Sequence, residues 1–452
     1  MTDTTETIVA LATPAGSGAI GVIRLSGPEA ITIANKVFKG KDLTTQDSHT
    51  IHFGSIADGD IVLDEVLVSL FVAPRSYTRE NVVEISCHGS NYIIESIIKL
   101  LAKNGARNAK PGEFTLRAFL NGQLDLSQAE AVADLIASNS KASQQVALQQ
   151  LRGGFSNQLQ GLRDQLVQFA SLIELELDFA EEDVEFANRD QLKQLINDIL
   201  KVITALIQSF ELGNAIKHGI NTVIAGRPNA GKSTLLNALL NEERAIVSHI
   251  PGTTRDTIEE ILNIKGINFR LIDTAGIREA TDAIEKIGVE RTMEKINQSA
   301  LLIYVYDAAQ TTLTELNADL EKLNKPGINI LIVANKVDLL LHNELADIPD
   351  TVSIVSAKEK QHIDELKLKI YQAAIKERLE GQDILVTNVR HLEALQKTED
   401  ALLKVLSGME DITSDFLAMD IKQALHYLGE ITGAVTTDDL LDNIFSKFCI
   451  GK

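Results

Sequence analysis

A glycine-rich loop at residues 226–233 lies between a short apolar strand and a leucine-rich helix. Its sequence, GRPNAGKS, has the spacing GxxxxGK[ST]. In this context the glycines let backbone N–H groups curl around a phosphate, and the helix N-terminus adds the positive end of its dipole. Lys232 is placed to reach the β- and γ-phosphates during hydrolysis, and the Ser233 hydroxyl to hold Mg²⁺. The loop therefore predicts a nucleoside triphosphate site.

Three further motifs follow in order, each directly after a strand-like run: DTAG at 273–276, NKVD at 335–338 and SAK at 356–358. The Asp338 carboxylate can accept hydrogen bonds from the ring N1–H and the exocyclic amine of guanine, which adenine cannot satisfy. The series predicts that the site selects guanine and hydrolyses GTP to GDP. The expected nucleotide contacts are Asn229, Ala230, Gly231, Lys232, Ser233, Thr234, Asp273, Thr274, Ala275, Gly276, Asn335, Lys336, Asp338, Ser356, Ala357 and Lys358.

The loop between the first two motifs contains Thr253 and Thr254, where a switch segment belongs, and Thr254 is the expected second Mg²⁺ ligand. After the DTAG glycine the chain has Ile277, where Ras-like enzymes have the glutamine that orients water. Another group must then place the water and another positive charge must assist. An oxygen of Asn229 could help to cage a monovalent cation against the phosphates. Four carboxylates that follow are candidates for placing the water: Glu279, Asp282, Glu285 and Glu290.

The pattern along the chain predicts a multidomain protein of α/β and all-α parts. Residues 1–120 alternate strands and helices, and residues 121–215 are helical. Residues 216–378 alternate Val/Ile-rich strands with helices, as in a doubly wound Ras-like G domain. Residues 379–452 are helical again. The simplest interpretation is a helical domain interrupted by an inserted G domain.

Composition limits the possible partners and compartments. The formal net charge is −20, so a wide basic surface for nucleic acid is not expected, and any RNA contact must be local or shared with a partner. Only two cysteines occur, there is no run of eighteen apolar residues, and the first residues lack a basic leader. We expect a cytoplasmic protein with no membrane span and no disulfide framework.

Five segments together resemble the tRNA-modification GTPases of the MnmE or TrmE family. They are GRPNAGKST, IPGTTRD, DTAGIRE, PGEFTLRAFLNGQLDLSQAEA at 111–131, and FCIGK at 448–452. The resemblance implies an N-terminal α/β domain that dimerises and binds tetrahydrofolate. It also implies a homodimer that joins an FAD-containing partner, MnmG, in a heterotetramer. The complex would add an aminomethyl or carboxymethylaminomethyl group at C5 of the wobble uridine, position 34, of certain tRNAs.

The resemblance also assigns residue roles. It implies a K⁺ site, with hydrolysis stimulated by K⁺ and by pairing of G domains, and Glu285 as the residue that places the water. It implies a 5-formyl- or methylene-tetrahydrofolate site that includes the C-terminal residue, and a functional Cys449. The K⁺ residues are Asn229, Ser248, Ile250 and Thr253. The folate residues are Arg24, Glu84, Lys452 and Gln123. Gln123 stands where the family often has Lys in the motif NGKLDL, so it keeps hydrogen bonding without the charge.

Two other functions remain open from the residues. The chain could be a regulatory or assembly GTPase that binds RNA or ribosomes, or a folate-binding scaffold whose GTPase controls partner docking. Residues 16–21 match GxGxxG, but the run VIRLS that follows is strand-like. A dinucleotide fingerprint needs a helix there, so we expect a hairpin-like connection instead.

Overall fold

The computed structural model describes residues 5–178, 189–240, 259–273, 299–323, 328–375, 384–409 and 414–451. The chain divides into two compact units. Unit 1 comprises Met1–Ala137, Ala147–Lys201 and Glu393–Lys452, and unit 2 comprises Ser138–Val146 and Val202–Leu392. The bounds of the four segments expected from the sequence stay predictions.

The strands alternate with helices in unit 2 and cluster near the N-terminus in unit 1. The strands are β1 Ile8–Leu11, β2 Ile20–Ser26, β3 Phe38–Lys39, β4 Thr50–Asp58, β5 Ile61–Phe71, β6 Val82–His88, β7 Arg107–Asn108, β8 Ile220–Ala225, β9 Glu259–Ile264, β10 Ile267–Asp273, β11 Leu301–Asp307, β12 Asn329–Asn335 and β13 Ser353–Val355. The helices are α1 Ala30–Val37, α2 Asn91–Lys103, α3 Glu113–Leu120, α4 Leu126–Ala137, α5 Lys141–Leu151, α6 Gly154–Asp178, α7 Arg189–Gln208, α8 Phe210–His218, α9 Lys232–Leu240, α10 Leu313–Leu323, α11 His342–Ala346, α12 Ile363–Ala374, α13 Val389–Gly408, α14 Ser414–Thr432 and α15 Asp438–Phe445.

The described strands of unit 1 form one sheet in the order β3-β4-β5-β6-β2-β1-β7. Neighbours are antiparallel except β1 and β7, which are parallel. Side chains alternate between the two faces of a strand. Ile23 and Leu25 of β2 are therefore buried in the core that α1 and α2 cover, and Arg24 between them lies on the opposite face. The sheet register places Arg24 directly opposite Glu84 of β6.

The GxGxxG match at residues 16–21 lies in the connection between the antiparallel strands β1 and β2 and runs into β2 itself. No helix opens there, so the expected hairpin-like connection is confirmed. This arrangement does not offer a helix N-terminus to a pyrophosphate.

One helical stretch among the described residues, Arg189–His218, is long and apolar enough to cross a bilayer by length and composition alone. Its window has a mean hydropathy of 1.3 and is 44% buried. Leu192, Ile196, Ile199 and Ile203 are fully or almost fully buried at three- and four-residue spacing. Such spacing is typical of a helix that packs one face against a protein core.

The described strands of unit 2 form a second sheet in the order β13-β12-β11-β8-β10-β9. All neighbours are parallel except β9 and β10. All seven residues of β11 are buried, as expected for a central parallel strand covered on both faces. Asp307 and Asn335 pair at the carboxyl ends of β11 and β12, close to the end of β8. Ligands of such sheets bind outside the carboxyl ends of the strands.

Candidate functional site

The glycine-rich loop leaves β8 at Ala225 and enters α9 at Lys232. Gly226 and Gly231 have φ values of 153° and 90°, which side-chain-bearing residues rarely adopt. A Cβ at Gly226 would collide with the Val305 carbonyl oxygen. The loop is therefore packed closely against β11, and its backbone amides and the start of α9 form an anion-binding cradle.

Lys232 lies inside this loop. Its Nζ donates to the Gly226 oxygen at 2.9 Å and to the Arg227 oxygen at 2.8 Å. Ser233 and Thr234 are exposed on the first turn of α9, and Asn229 is exposed at the crest of the loop with φ of 62°. The ammonium and the exposed hydroxyls therefore share the cradle that the sequence predicted for phosphate and Mg²⁺.

Asn335 joins the glycine-rich loop to the SAK loop. Its Nδ2 donates to the Ala230 oxygen at 2.9 Å, and its Oδ1 accepts from the Ala357 amide at 3.0 Å. Asn335, Ala230 and Ala357 are all buried. Two loops more than a hundred residues apart are thus held together by one side-chain amide.

Ser356 and Asp338 connect the two base-side motifs. The Ser356 hydroxyl donates to Asp338 Oδ1 at 2.5 Å and accepts from the Glu359 amide at 3.2 Å. Asp338 itself is exposed, and the Lys358 side chain is also exposed, 3.7 Å from Glu359 Oε1. The contact fixes the carboxylate that is expected to face guanine.

Asp307 was not among the residues expected from the sequence. It is buried at the end of β11, and its Oδ2 accepts from Lys336 Nζ at 2.7 Å while its Oδ1 accepts from the Ala309 amide. Lys336 also has φ of 66°, a backbone conformation that is uncommon for a lysine. An aspartate directly after the strand ALLIYVY is the signal that could have pointed to this contact.

Arg227 was also missed. Its guanidinium donates to Asp319 Oδ2 and to Glu315 Oε1, both at 2.6 Å and both on α10. The Thr312 amide and Arg227 lower the pKa of Glu315 to about 2, and the bond from Arg227 lowers the pKa of Asp319. Burial and the neighbouring Asp319 raise the pKa of Tyr304, whose hydroxyl donates to Asp319. The second residue of the glycine-rich loop is thus fixed to a helix outside it.

Several expected site residues lie outside the described residues: Ser248, Ile250, Thr253, Thr254, Thr274, Ala275, Gly276, Glu285 and Lys452. Asp273 is the last residue of β10. Their roles stay predictions.

Unit 1 brings Arg24 and Glu84 together with the chain's last described residues. Arg24 Nε and Nη2 lie 2.9 Å and 2.7 Å from Glu84 Oε1, and Nη1 donates to the Gly451 oxygen at 3.5 Å. The guanidinium also lies over the Tyr77 and Phe114 rings, 5.6 Å and 5.8 Å from their centroids. Aromatic rings, a carboxylate and a guanidinium suit a flat heterocycle with hydrogen-bonding edges.

The segment before Gly451 is held against α3. The Gly112 amide donates to the Cys449 oxygen at 3.4 Å, and Phe445 packs with Leu116 and Leu126. A Cβ at Gly451 would collide with the Leu11 carbonyl oxygen, so the chain passes very close to the end of β1. The Cys449 side chain is exposed and is not part of a disulfide.

A buried network of ion pairs in unit 1 connects α3 with the segment around Glu80. Arg117 donates to both Glu80 oxygens at 3.2 Å and to Glu113, one helical turn away. Burial alone would raise the pKa of Glu113, but the bonds from Arg107 and from the Lys110 amide lower it. Arg117 and Glu113 are both at most 1% exposed. Removal of one partner from such a network leaves a buried charge uncompensated, so the network fixes the segment around Glu80.

Gln123 lies beside Arg79. Its Oε1 accepts from Arg79 Nε at 2.9 Å, and both residues line an open cavity that also includes Tyr77. Of the expected folate residues, Arg24 and Glu84 are thus in direct contact. Gln123 instead lines the same cavity as Tyr77, whose ring lies 5.6 Å from the Arg24 guanidinium.

Comparisons with known proteins show what this chain is similar to. A family model described as GTP-binding protein TrmE N-terminus matches residues 7–123, and one described as MnmE helical domain matches residues 126–449. The chain is 58% identical to the tRNA modification GTPase MnmE of Cytophaga hutchinsonii over 100% of this chain and 99% of that one. It is 55% identical to the protein of the same name from Flavobacterium psychrophilum, with 99% of each chain covered. Among solved structures, Aquifex aeolicus Era bound to GDP and AlF₄⁻ is 25% identical, with a TM-score of 0.29 over 41% of this chain and 67% of that one.

The sheet of unit 2 and its loops define a P-loop GTPase. The family models and the relative from Cytophaga hutchinsonii match almost the whole length of the chain. The chain belongs to the MnmE family, also called TrmE, and is a GTPase that acts in tRNA modification.

Proposed function

We propose that this GTPase works with an FAD-containing partner of the MnmG type to modify C5 of the wobble uridine, position 34, in certain tRNAs. The added group would be aminomethyl or carboxymethylaminomethyl, and the reaction would take place in the cytoplasm. The observation that carries the proposal is the presence in one chain of a guanine-nucleotide cradle and of an arginine–glutamate pair closed by the segment around Gly451.

The proposed nucleotide chemistry uses residues of the glycine-rich loop, the switch segment and the base-side motifs. The exposed Ser233 hydroxyl at the start of α9 suits Mg²⁺, with Thr254 as the second protein ligand. Lys232 would hold the β- and γ-phosphates and stabilise the charge that develops on the leaving group. Asp338, fixed by Ser356, would accept the two guanine N–H groups.

Hydrolysis would follow the route that Ile277 requires, without a glutamine. The exposed Asn229 carbonyl suits a K⁺ site together with Ser248, Ile250 and Thr253. When bound, K⁺ supplies the positive charge that an arginine finger supplies elsewhere. Glu285 would orient the water, and pairing of two G domains would complete the site.

Unit 1 would bind the one-carbon donor, a 5-formyl- or methylene-tetrahydrofolate. Both Arg24 contacts to Glu84 use the same oxygen, Oε1, so the pair is compatible with a pterin that donates to the carboxylate. Lys452 and Gln123 would add contacts, and Cys449 would act close to this site. The exposed thiol and the contact between Arg24 and the Gly451 oxygen support this arrangement.

The sheet face of unit 1 supports a homodimer. Phe53 of β4 and Leu67 of β5 are directly opposite each other and exposed, with Ile51 beside them on the same face. A cross-strand apolar pair on an open sheet face is typical of a surface covered by another chain, and a second copy would bury it.

Wobble-uridine analysis tests the proposed function as a whole. Nucleosides from tRNA of a deletion strain should lack the C5 group, and a plasmid copy of the gene should restore it. A chain with Lys232→Ala is the matched control and should not restore it. Full C5 modification in the deletion strain would contradict the proposal and favour a regulatory GTPase of RNA or ribosome assembly.

A further inference from the structure

A cavity of about 680 Å³ lies in unit 1, and Tyr77 is among the residues that line it. It is lined by two arginines, Arg75 and Arg79, with His49, Tyr77 and Gln123 among their neighbours. None of the described residues that line it is acidic, although the whole chain has a net charge of −20. The cavity is therefore a local positive site on an acidic protein.

The cavity and the expected pterin site share one aromatic side chain. Tyr77 lines the cavity, and the same ring lies 5.6 Å from the Arg24 guanidinium carbon. The Tyr77 hydroxyl is bonded to Thr115 at 2.9 Å, which fixes the ring between the two sites. A ligand whose heterocycle meets Arg24 and Glu84 would therefore extend along Tyr77 into the cavity.

Two hydrogen bonds of its side chain, and the contacts of its neighbours in the chain, fix the position of Arg79. Its Nε donates to Gln123 Oε1 at 2.9 Å and its Nη1 to the Asn121 oxygen at 3.0 Å. Its φ of 58° lies in the left-handed region, which costs free energy for any residue with a side chain. The adjacent Thr78 is buried and bonded to Ser26, and the adjacent Glu80 is bonded to Arg117. These anchors keep the loop in that conformation and the guanidinium at Gln123.

We propose that Arg79, positioned by Gln123, supplies the charge that a lysine at position 123 would otherwise supply, and binds the carboxylates of the folate glutamate tail. The two hydrogen bonds to Gln123 and Asn121 use two of the five N–H groups of the guanidinium. The others can form a paired contact with a carboxylate. This inference rests on the proposed binding of tetrahydrofolate by unit 1.

The test compares two probes by isothermal titration of the full chain. One probe is 5-formyltetrahydrofolate, and the other is 6-methyltetrahydropterin, which lacks the glutamate tail. Arg79→Gly should weaken binding of the first about tenfold, equivalent to about 1.4 kcal/mol. It should leave binding of the second within about twofold. Glycine suits the φ of 58°, so this variant should fold, and thermal unfolding verifies that it does.

A second variant tests whether a lysine at position 123 can replace the charge of Arg79. Arg79→Gly combined with Gln123→Lys should recover most of the lost affinity, because the charge returns to position 123. Lys103→Gln removes the same charge from an exposed site paired with Asp58 and should bind both probes as the unchanged chain does. Binding of 5-formyltetrahydrofolate should also weaken with added salt, and less so in Arg79→Gly.

Each outcome separates the inference from the function on which it rests. If the unchanged chain binds neither probe, the proposed folate site is wrong and the inference falls with it. If it binds 5-formyltetrahydrofolate and Arg79→Gly binds equally well, the folate site stands and the role of Arg79 is wrong. Equal weakening of both probes would show that Arg79 only supports the fold, and would also overturn the inference.

Discussion

We expect the side-chain amide of Asn335 to stabilise the glycine-rich loop and the SAK loop of the nucleotide site. Asn335→Ala removes the bond to the Ala230 oxygen and the bond to the Ala357 amide, at 2.9 Å and 3.0 Å. Both groups belong to buried residues, so each loses its partner where water has little access. A buried group left unpaired costs about 1–3 kcal/mol. We expect a loss of about 3 kcal/mol in the local free energy of unfolding.

The same change should weaken GTP binding at least tenfold, because the glycine-rich loop and the SAK loop lose their direct connection. The ratio of GTP to XTP affinity should stay the same, since Asp338 and Ser356 are untouched. Equilibrium titration with labelled nucleotides measures both quantities. Hydrogen exchange of peptides from β8 and β12 measures local stability, which is preferable because the chain has more than one unit.

Asn329→Ala is the matched control. Asn329 is the same residue type at the other end of β12, and its Nδ2 makes one bond, at 3.0 Å, to the Ala373 oxygen. Its replacement should cost about 1 kcal/mol and leave GTP affinity unchanged. If the two variants behaved alike in titration and exchange, the proposed link between the loops through Asn335 would be refuted.

Three further changes test other parts of the site. Asp338→Asn should weaken GTP and strengthen XTP binding, because an amide can donate to the C2 oxygen of xanthine; unchanged selectivity in competition titrations would contradict the role of Asp338. Asn229→Ala should make the rate of GTP hydrolysis equal in K⁺ and Na⁺, whereas retained stimulation by K⁺ would exclude this residue from the cation site. The pKa of Glu315, about 2 when folded, lies below its usual value of 4.5, so its contribution to stability is full above pH 4.5 and is lost toward pH 2. Glu315→Gln should therefore flatten the fall of unfolding stability in that window, and a curve as steep as that of the unchanged chain would show that the bonds from the Thr312 amide and from Arg227 to this carboxylate do not stabilise the fold.

The sequence predicted the nucleotide cradle because its signal is local. Gly226, Gly231 and Lys232 follow one strand and open one helix, so the loop can be recognised without knowledge of distant residues. Asp307 and Arg227 could not be recognised in this way. Their partners, Lys336 directly after another strand and Glu315 on another helix, are close only after the parallel sheet has formed.

The site in unit 1 was predicted from resemblance and not from periodicity. Arg24 and Glu84 are 60 positions apart, and only the register of β2 and β6 makes them neighbours. The contact between Arg79 and Gln123 was missed for a similar reason, since a left-handed φ at an arginine has no signature in composition or spacing. The missing positive charge at position 123 is visible in the sequence, whereas the arginine that lies beside Gln123 is visible only in the structure.

The contact between Arg24 and the Gly451 oxygen has a consequence for synthesis on the ribosome. The two residues are 427 positions apart, and chains grow at about 5–20 residues per second. Roughly 20 to 90 seconds therefore pass between the synthesis of Arg24 and that of Gly451. During this interval the first sheet can form and Glu84 can meet Arg24, while the segment that closes the site does not yet exist. Translation order thus makes the contact between Arg24 and Gly451 the last part of this arrangement to form, after the whole nucleotide-binding unit has been made.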